Sequence, residues 1–221
     1  MSDIWHPLLL SLRIAGAATA LGALIGIPLA FFMSRRRFVG KSALDALIIV
    51  PMVMPPTVVG FAILVVMGTH EGWVGPWLDR AFGYRIVFEF QGAVLAASVV
   101  ALPMLYLPAK SAFAAVEREM EDSARLMGAN RWQVFWHVSL PLARRGIYSG
   151  LLLAFARALG EFGATMMVFS VGPNRLTLPI SIYTDWEQNN LSHATAAVMT
   201  LAAISLALTF AFNRSAASRQ D

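Results

Sequence analysis

No cysteine occurs among the 221 residues, which excludes disulfides and thiolate-held metals. Charge is scarce as well: 14% of the residues are Asp, Glu, Lys or Arg, where soluble domains carry about 25%. The four histidines (His6, His70, His137 and His193) lie far apart without ligand spacing, so no metal site is expected. No G-x-x-x-x-G-K-[ST] phosphate loop is present, so the chain is not expected to hydrolyse ATP by itself. No Lys or Arg stands before Pro7, so the start does not read as a signal peptide.

What fills the chain instead is apolar: 57% of it is hydrophobic. Such a chain cannot cover its own surface in water, and the class that follows is integral membrane protein, partnered by the lipid bilayer. A net charge of +4 would suggest nucleic acid in a soluble domain. Here it reads as Lys and Arg retained on one side of a membrane, and no nucleic acid partner is expected.

A helix needs roughly 20 apolar residues to cross the hydrocarbon layer. Stretches free of charge run over 14–34, 46–69, 90–109 and 194–212, and 147–174 is broken only by Arg157 and Glu161. The expectation is an all-α protein with one transmembrane domain over 1–221 and five spans, at about 8–33, 45–69, 91–115, 146–171 and 193–213. Arg35, Arg36, Arg37 and Lys41 fall between spans one and two. Lys110, Arg118, Arg125, Arg131, Arg144 and Arg145 flank the connection between spans three and four, and Arg214 and Arg219 follow span five. The other side holds Arg80, Arg85 and Arg175, plus Arg13 near the start of span one. This asymmetry predicts an outside N-terminus and a cytoplasmic C-terminus.

Two outside loops follow. Residues 70–90 mix turn formers with interface aromatics, and 172–192 opens on the turn-like Gly172-Pro173-Asn174 before an extended-looking Thr177-Leu178-Pro179-Ile180. Neither is large enough for a folded domain, so capture of a soluble ligand outside would need a separate protein.

The longest polar insertion, 117–145, reads as two short amphipathic helices. The first ends at Gly128-Ala129-Asn130, with Gly or Asn in a left-handed position, and the second stops at Leu140-Pro141. Two roles suit it. It is an interfacial pair with Trp132, Phe135 and Trp136 among the headgroups, or a docking element whose small residues admit another protein surface. In span two, Pro55 and Pro56 remove backbone donors. They make a simple kink or a break framing a translocation path, with Thr57 facing it. In span four, Arg157 and Glu161 stand four apart and can pair. They form a structural ion pair, or Arg157 attracts an anionic cargo, while Gly160 and Gly163 allow tight packing or a hinge.

Asp122-Ser123-Ala124, then Gly128, then Val138, Leu140 and Pro141 resemble the cytoplasmic E-A-A…G…I-x-L-P loop of binding-protein-dependent ABC importer permeases. Asp for Glu, Ser for Ala and Val for Ile are conservative departures. The resemblance implies the type I ABC importer permease fold and a coupling helix seated in a cleft of an ATP-binding subunit. Ser123, Ala124, Gly128 and Ala129 would give close approach, and Asp122 polar contacts. The stretches from Pro51 to Gly60, Val87 to Ala96 and Arg157 to Thr165 are in turn similar to molybdate importer permeases, with sulfate and tungstate permeases as near relatives. Residues from Phe169 to Pro179 depart from the molybdate pattern. The resemblance implies a homodimeric inner-membrane permease with two cytosolic ATP-binding subunits and a periplasmic solute-binding protein. ATP and Mg would sit on the partner, and this chain would hold no cofactor. An ion-coupled carrier or channel needing no ATPase leaves the docking loop unexplained, and a membrane-embedded enzyme would need a cluster of catalytic groups at depth, where Arg157 with Glu161 is the only obvious pair.

Overall fold

The computed structural model describes residues 4–69, 72–169, 172 and 175–217, with side chains as far as 212. Gly172 aside, the expected Gly172-Pro173-Asn174 turn lies outside the described residues. Among the described residues the secondary structure is helical throughout: α1 (Trp5–Arg35), α2 (Lys41–Val53), α3 (Pro56–Met67), α4 (Gly75–Phe82), α5 (Phe90–Ala114), α6 (Arg118–Leu126), α7 (Arg131–Val134), a π-helical turn (Phe135–Ser139), α8 (Leu140–Leu159), α9 (Gly163–Val168), α10 (Leu178–Glu187) and α11 (Leu191–Ala217).

Among the described residues three helices are individually long and apolar enough to cross a membrane: α1, α5 and the 191–212 part of α11. The spans expected at 8–33, 91–115 and 193–213 lie along them. The second expected span is divided, because α2 and α3 meet the criterion only together and bend by 115° at the break. Met54 and Pro55 are extended there, as Pro56 cannot donate to a continuing helix. The fourth is divided too, into α8 and the short α9. With Arg144, Arg145 and Arg157, α8 is more charged than the other spans.

The core is built from small residues. Along α1 the buried stripe reads Ser11, Ala15, Ala18, Gly22, Gly26, Ala30, a helical spacing that lets α5 lie close. Lipid is as apolar as Leu, so membrane helices associate through close packing rather than exclusion from water. α5 is the central post, buried against α1 on one side and α8 on the other. A Cβ at Gly146 would meet Ala112 Cβ at 2.4 Å, and one at Gly150 would meet the Leu105 carbonyl at 2.9 Å. By contrast, α11 keeps most of its apolar surface open.

One expectation about the outside loops is overturned. Of residues Thr177 to Ile180 only Thr177 is extended, because α10 begins at Leu178. Pro179 sits in its first turn, where a missing N–H costs nothing, and the Leu178 N–H donates to Ser11 Oγ of α1 at 2.7 Å. The 70–90 connection also carries a helix, α4, started by Gly75-Pro76 and ended by Gly83 in the left-handed region.

Candidate functional site

The 117–145 segment folds as a bent helical arm. Glu119 and Glu121 favour the N-terminal turn of α6, and Arg125 favours its last. Gly128 then takes φ +92°, its N–H donates to the Arg125 carbonyl at 2.9 Å, and the Ala129 N–H reaches back to Ala124 at 3.0 Å. These two bonds make a Schellman motif, which places the glycine where a left-handed residue is required. Asn130 restarts the chain through a reciprocal capping box: its side chain accepts from the Gln133 N–H at 3.0 Å, and its own N–H donates to Gln133 Oε1 at 2.8 Å.

The second helix of the arm does not stop at Leu140-Pro141. A π-helical turn carries α7 directly into α8, with the Leu140 N–H bonded to the Phe135 carbonyl. A proline ring normally clashes with the carbonyl four residues back, and the wider π turn makes room for it. The arm is therefore rigidly continuous with a helix of the bundle.

A second connection runs through Glu121, which is only 3% exposed. Its Oε1 accepts from Arg35 of α1 at 2.6 Å and from the Ser139 hydroxyl of the π turn at 2.7 Å. Arg35 also donates two bonds of 3.1 Å to the Val116 carbonyl. Sequence reasoning missed this triad and favoured the neighbouring Asp122. That residue is exposed and pairs with Arg125 at 2.7 Å on its own helix. Ser123 is exposed and bonds back to the Glu119 carbonyl at 2.7 Å, while Ala124 is largely buried.

The outer surface of the arm is apolar at its tip. Leu126 is 89% exposed and Met127 83% exposed. Beside them Ala124, Gly128, Ala129 and Val138 help line a shallow cleft of about 390 Å³. Of the small residues singled out in the sequence, Ala124, Gly128 and Ala129 thus share one concave surface with Met127, and Ser123 stands outside it. Leu140 is partly buried within the joint and Pro141 is exposed.

The span-four residues lie elsewhere. At about 1.5 Å per residue, Arg157 stands roughly 24 Å along α8 from Pro141. There the two broken spans meet. α9 packs on α3, and a Cβ on Gly60 would come within 2.7 Å of the Ala164 carbonyl oxygen and 2.8 Å of its Cα. Gly163 is nearly as close, with a Cβ 3.2 Å from Pro56 and 3.3 Å from Thr57. Gly160 is not a packing glycine: the nearest atom to an added Cβ is the Ala156 carbonyl oxygen of its own helix, at 3.8 Å. Glu161 is 3% exposed, pairs with Arg157 at 2.6 Å and accepts the Ala164 N–H at 2.8 Å, so it ties the end of α8 to the start of α9. Arg157 is partly exposed and bound to its own counter-ion. Pro55 and Thr57 are exposed at the α2–α3 break. Gly60, at the tightest glycine contact of this junction, went unweighted in the sequence although it closes the Pro51–Gly60 stretch.

Comparison with known proteins agrees with this architecture. Residues 22–218 match the family model described as binding-protein-dependent transport system inner membrane component. A putative molybdenum transport system permease protein of Bacillus subtilis is 38% identical, over 95% of this chain and 92% of the relative. The molybdenum transport system permease protein of Escherichia coli K12 is 41% identical, over 81% of this chain and 79% of its own. A chain of a bacterial ABC transporter involved in import of the acidic polysaccharide alginate superposes with a TM-score of 0.69 at 19% identity, covering 97% of this chain and 79% of that one. The fold is that of type I ABC importer permeases, and the chain belongs to the binding-protein-dependent transport system inner membrane component family.

Proposed function

We propose that this chain is the membrane-spanning subunit of an ATP-driven importer that moves an oxyanion, molybdate first, from a periplasmic binding protein to the cytoplasm. The observation that carries the reading is the arm formed by α6, α7 and the π turn. It presents small residues and two bare apolar side chains outward, and it is locked inward to α1 and α8 through Glu121. Such an arm suits a subunit that pushes on it. The names of the Bacillus subtilis and Escherichia coli relatives support molybdate as cargo over tungstate or sulfate.

The working unit is a homodimer with two cytosolic ATP-binding subunits, which hold and hydrolyse the ATP. One arm per chain supports that stoichiometry, as do the exposed apolar side chains Leu47, Val53 and Phe61 along α2 and α3. The N-terminus lies outside and the arm inside. Arg35, Lys110, Arg118, Arg125 and Arg131 gather at the end of α1 and α5 where the arm attaches. Arg175 pairs with Glu89 at the opposite end of α5. In this arrangement closure of the ATPase dimer draws the two arms together, and α1 and α8 follow as rigid levers. The junction of α3 with α9 opens outward, and hydrolysis resets it.

Replacing Leu126 with Asp tests the reading without disturbing the fold, because the residue touches little of its own chain. Burial of a Leu contributes about 1.5–3 kcal/mol, so retention of the ATP-binding subunit on co-purification should fall at least roughly tenfold. ATP-dependent molybdate uptake should fall with it, and membrane insertion should not change. Normal co-purification with normal uptake would sink the docking assignment. Uptake that persists without the ATP-binding subunit would favour an ion-coupled carrier.

A further inference from the structure

A second cleft, of about 690 Å³, opens between the last turn of α1 and the arm. Arg35, Arg36, Arg118, Arg125 and Arg131 line it against two carboxylates, Glu121 and Asp122. Both carboxylates are engaged, Glu121 by Arg35 at 2.6 Å and Asp122 by Arg125 at 2.7 Å. Arg36, Arg118 and Arg131 are exposed and form no ion pair among the described residues. Arg35 has spent its terminal nitrogens on Glu121 and Val116, and its buried Nε has no acceptor. The cleft therefore carries three uncompensated guanidinium groups and one unused donor.

Its depth is set by α1. Arg35 ends a membrane-crossing helix, so the cleft sits at the boundary of the apolar layer. Phe31, in the cleft wall, meets Phe135 edge-on at 4.9 Å, and Phe135 meets Trp136 at 5.3 Å and Trp132 at 6.5 Å. Both tryptophans are exposed, as are Phe32 and Phe38 at the end of α1. Exposed aromatics at such a boundary are the usual anchors of a membrane interface. Basic pockets between helices at that level take phosphate headgroups.

We propose that this cleft binds the headgroup of an anionic phospholipid, with the phosphate held by Arg36, Arg118 and Arg131 and the acyl chains lying along the aromatic edge. A soluble partner's carboxylates would match the charge but would have no use for the bare rings. Such a lipid would lodge between α1 and the arm and stiffen the joint that Glu121 makes. The site adjoins the small-residue cleft of the arm, with Ala129 lining both, and does not depend on the identity of the cargo.

The full chain, purified in detergent, can be titrated with phosphatidylglycerol or phosphatidylcholine and the retained lipid read by native mass spectrometry. Phosphatidylglycerol should be retained in preference. The double variant Arg118→Gln/Arg131→Gln, both positions exposed, should bind it roughly thirty-fold more weakly, since each surface cation contributes about 1 kcal/mol. Arg144→Gln, exposed and outside the cleft, should bind as the unaltered chain does. If the double variant fails to fold, Arg118→Glu alone reads the same loss from one position. Equal retention of the two lipids, or an unchanged double variant, overturns the proposal. So does displacement by excess inorganic phosphate, which would assign the cleft to a soluble anion. A double variant that keeps the lipid but loses the ATP-binding subunit would assign it to that protein instead.

Discussion

Changing Glu121 to Gln removes one charge from a position where three elements meet, while keeping the shape and an oxygen for the Ser139 hydroxyl. What is lost is the charged partner of Arg35, whose side chain is 13% exposed. Removing one member of a buried pair costs about 3–5 kcal/mol, because the other charge is left uncompensated. Two details place this case at the lower end. Arg35 keeps both bonds to the Val116 carbonyl, and Arg125, though 3.7 Å from Glu121, is half exposed and already bound to Asp122. A loss of about 3 kcal/mol in a chain of this length lowers the melting temperature by roughly 6–12 °C. Asp122→Asn breaks an exposed pair on one helix and should stay within about 0.5 kcal/mol of the unaltered chain. Thermal melting of the purified chain in detergent separates the two, and a double-mutant cycle with Arg35→Gln measures the coupling directly. Equal shifts for Glu121→Gln and Asp122→Asn, or a coupling below about 0.5 kcal/mol, would refute the assignment of Glu121 as the tie between the arm and α1.

Further outcomes follow from the α3–α9 junction. Gly60→Ala forces a methyl against the Ala164 backbone and should cost about 1–3 kcal/mol, whereas Gly160→Ala meets no neighbour beyond its own helix and should be close to neutral. The same melting assay reads both, and a reversed order would mean that α3 and α9 do not touch there. Arg157→Met should destabilise by about 3–5 kcal/mol by stranding the Glu161 carboxylate. Arg157→Met/Glu161→Met should recover most of that loss if the pair is structural. If the double variant regains its melting temperature but transports no oxyanion, the arginine also serves the path.

Local chemistry was enough for much of this. The left-handed turn at Gly128, the break before Pro56 and the apolar lengths of α1, α5 and α11 all follow from what each segment can do alone. Local chemistry misled where a neighbour changed the rule. Pro141 read as a stop because an isolated helix cannot continue through it, but the π turn widened the helix. Residues Leu178 to Ile180 read as extended but are helical, with Ser11, far away in the sequence, accepting from the Leu178 N–H where α10 begins.

By itself the sequence determined that this protein is helical, membrane-spanning, basic at one end and equipped with a bent arm. Those properties depend on composition, period and turn chemistry, which are carried by consecutive residues. Tertiary structure alone decided which of two adjacent acids, Glu121 or Asp122, holds the arm. Neighbours on a helix differ by about 100° in direction, and the one that faces inward meets an arginine 86 residues away in the chain. It also decided that Gly60 and Gly163 matter for contact while Gly160 does not, since close approach is a property of two helices at once.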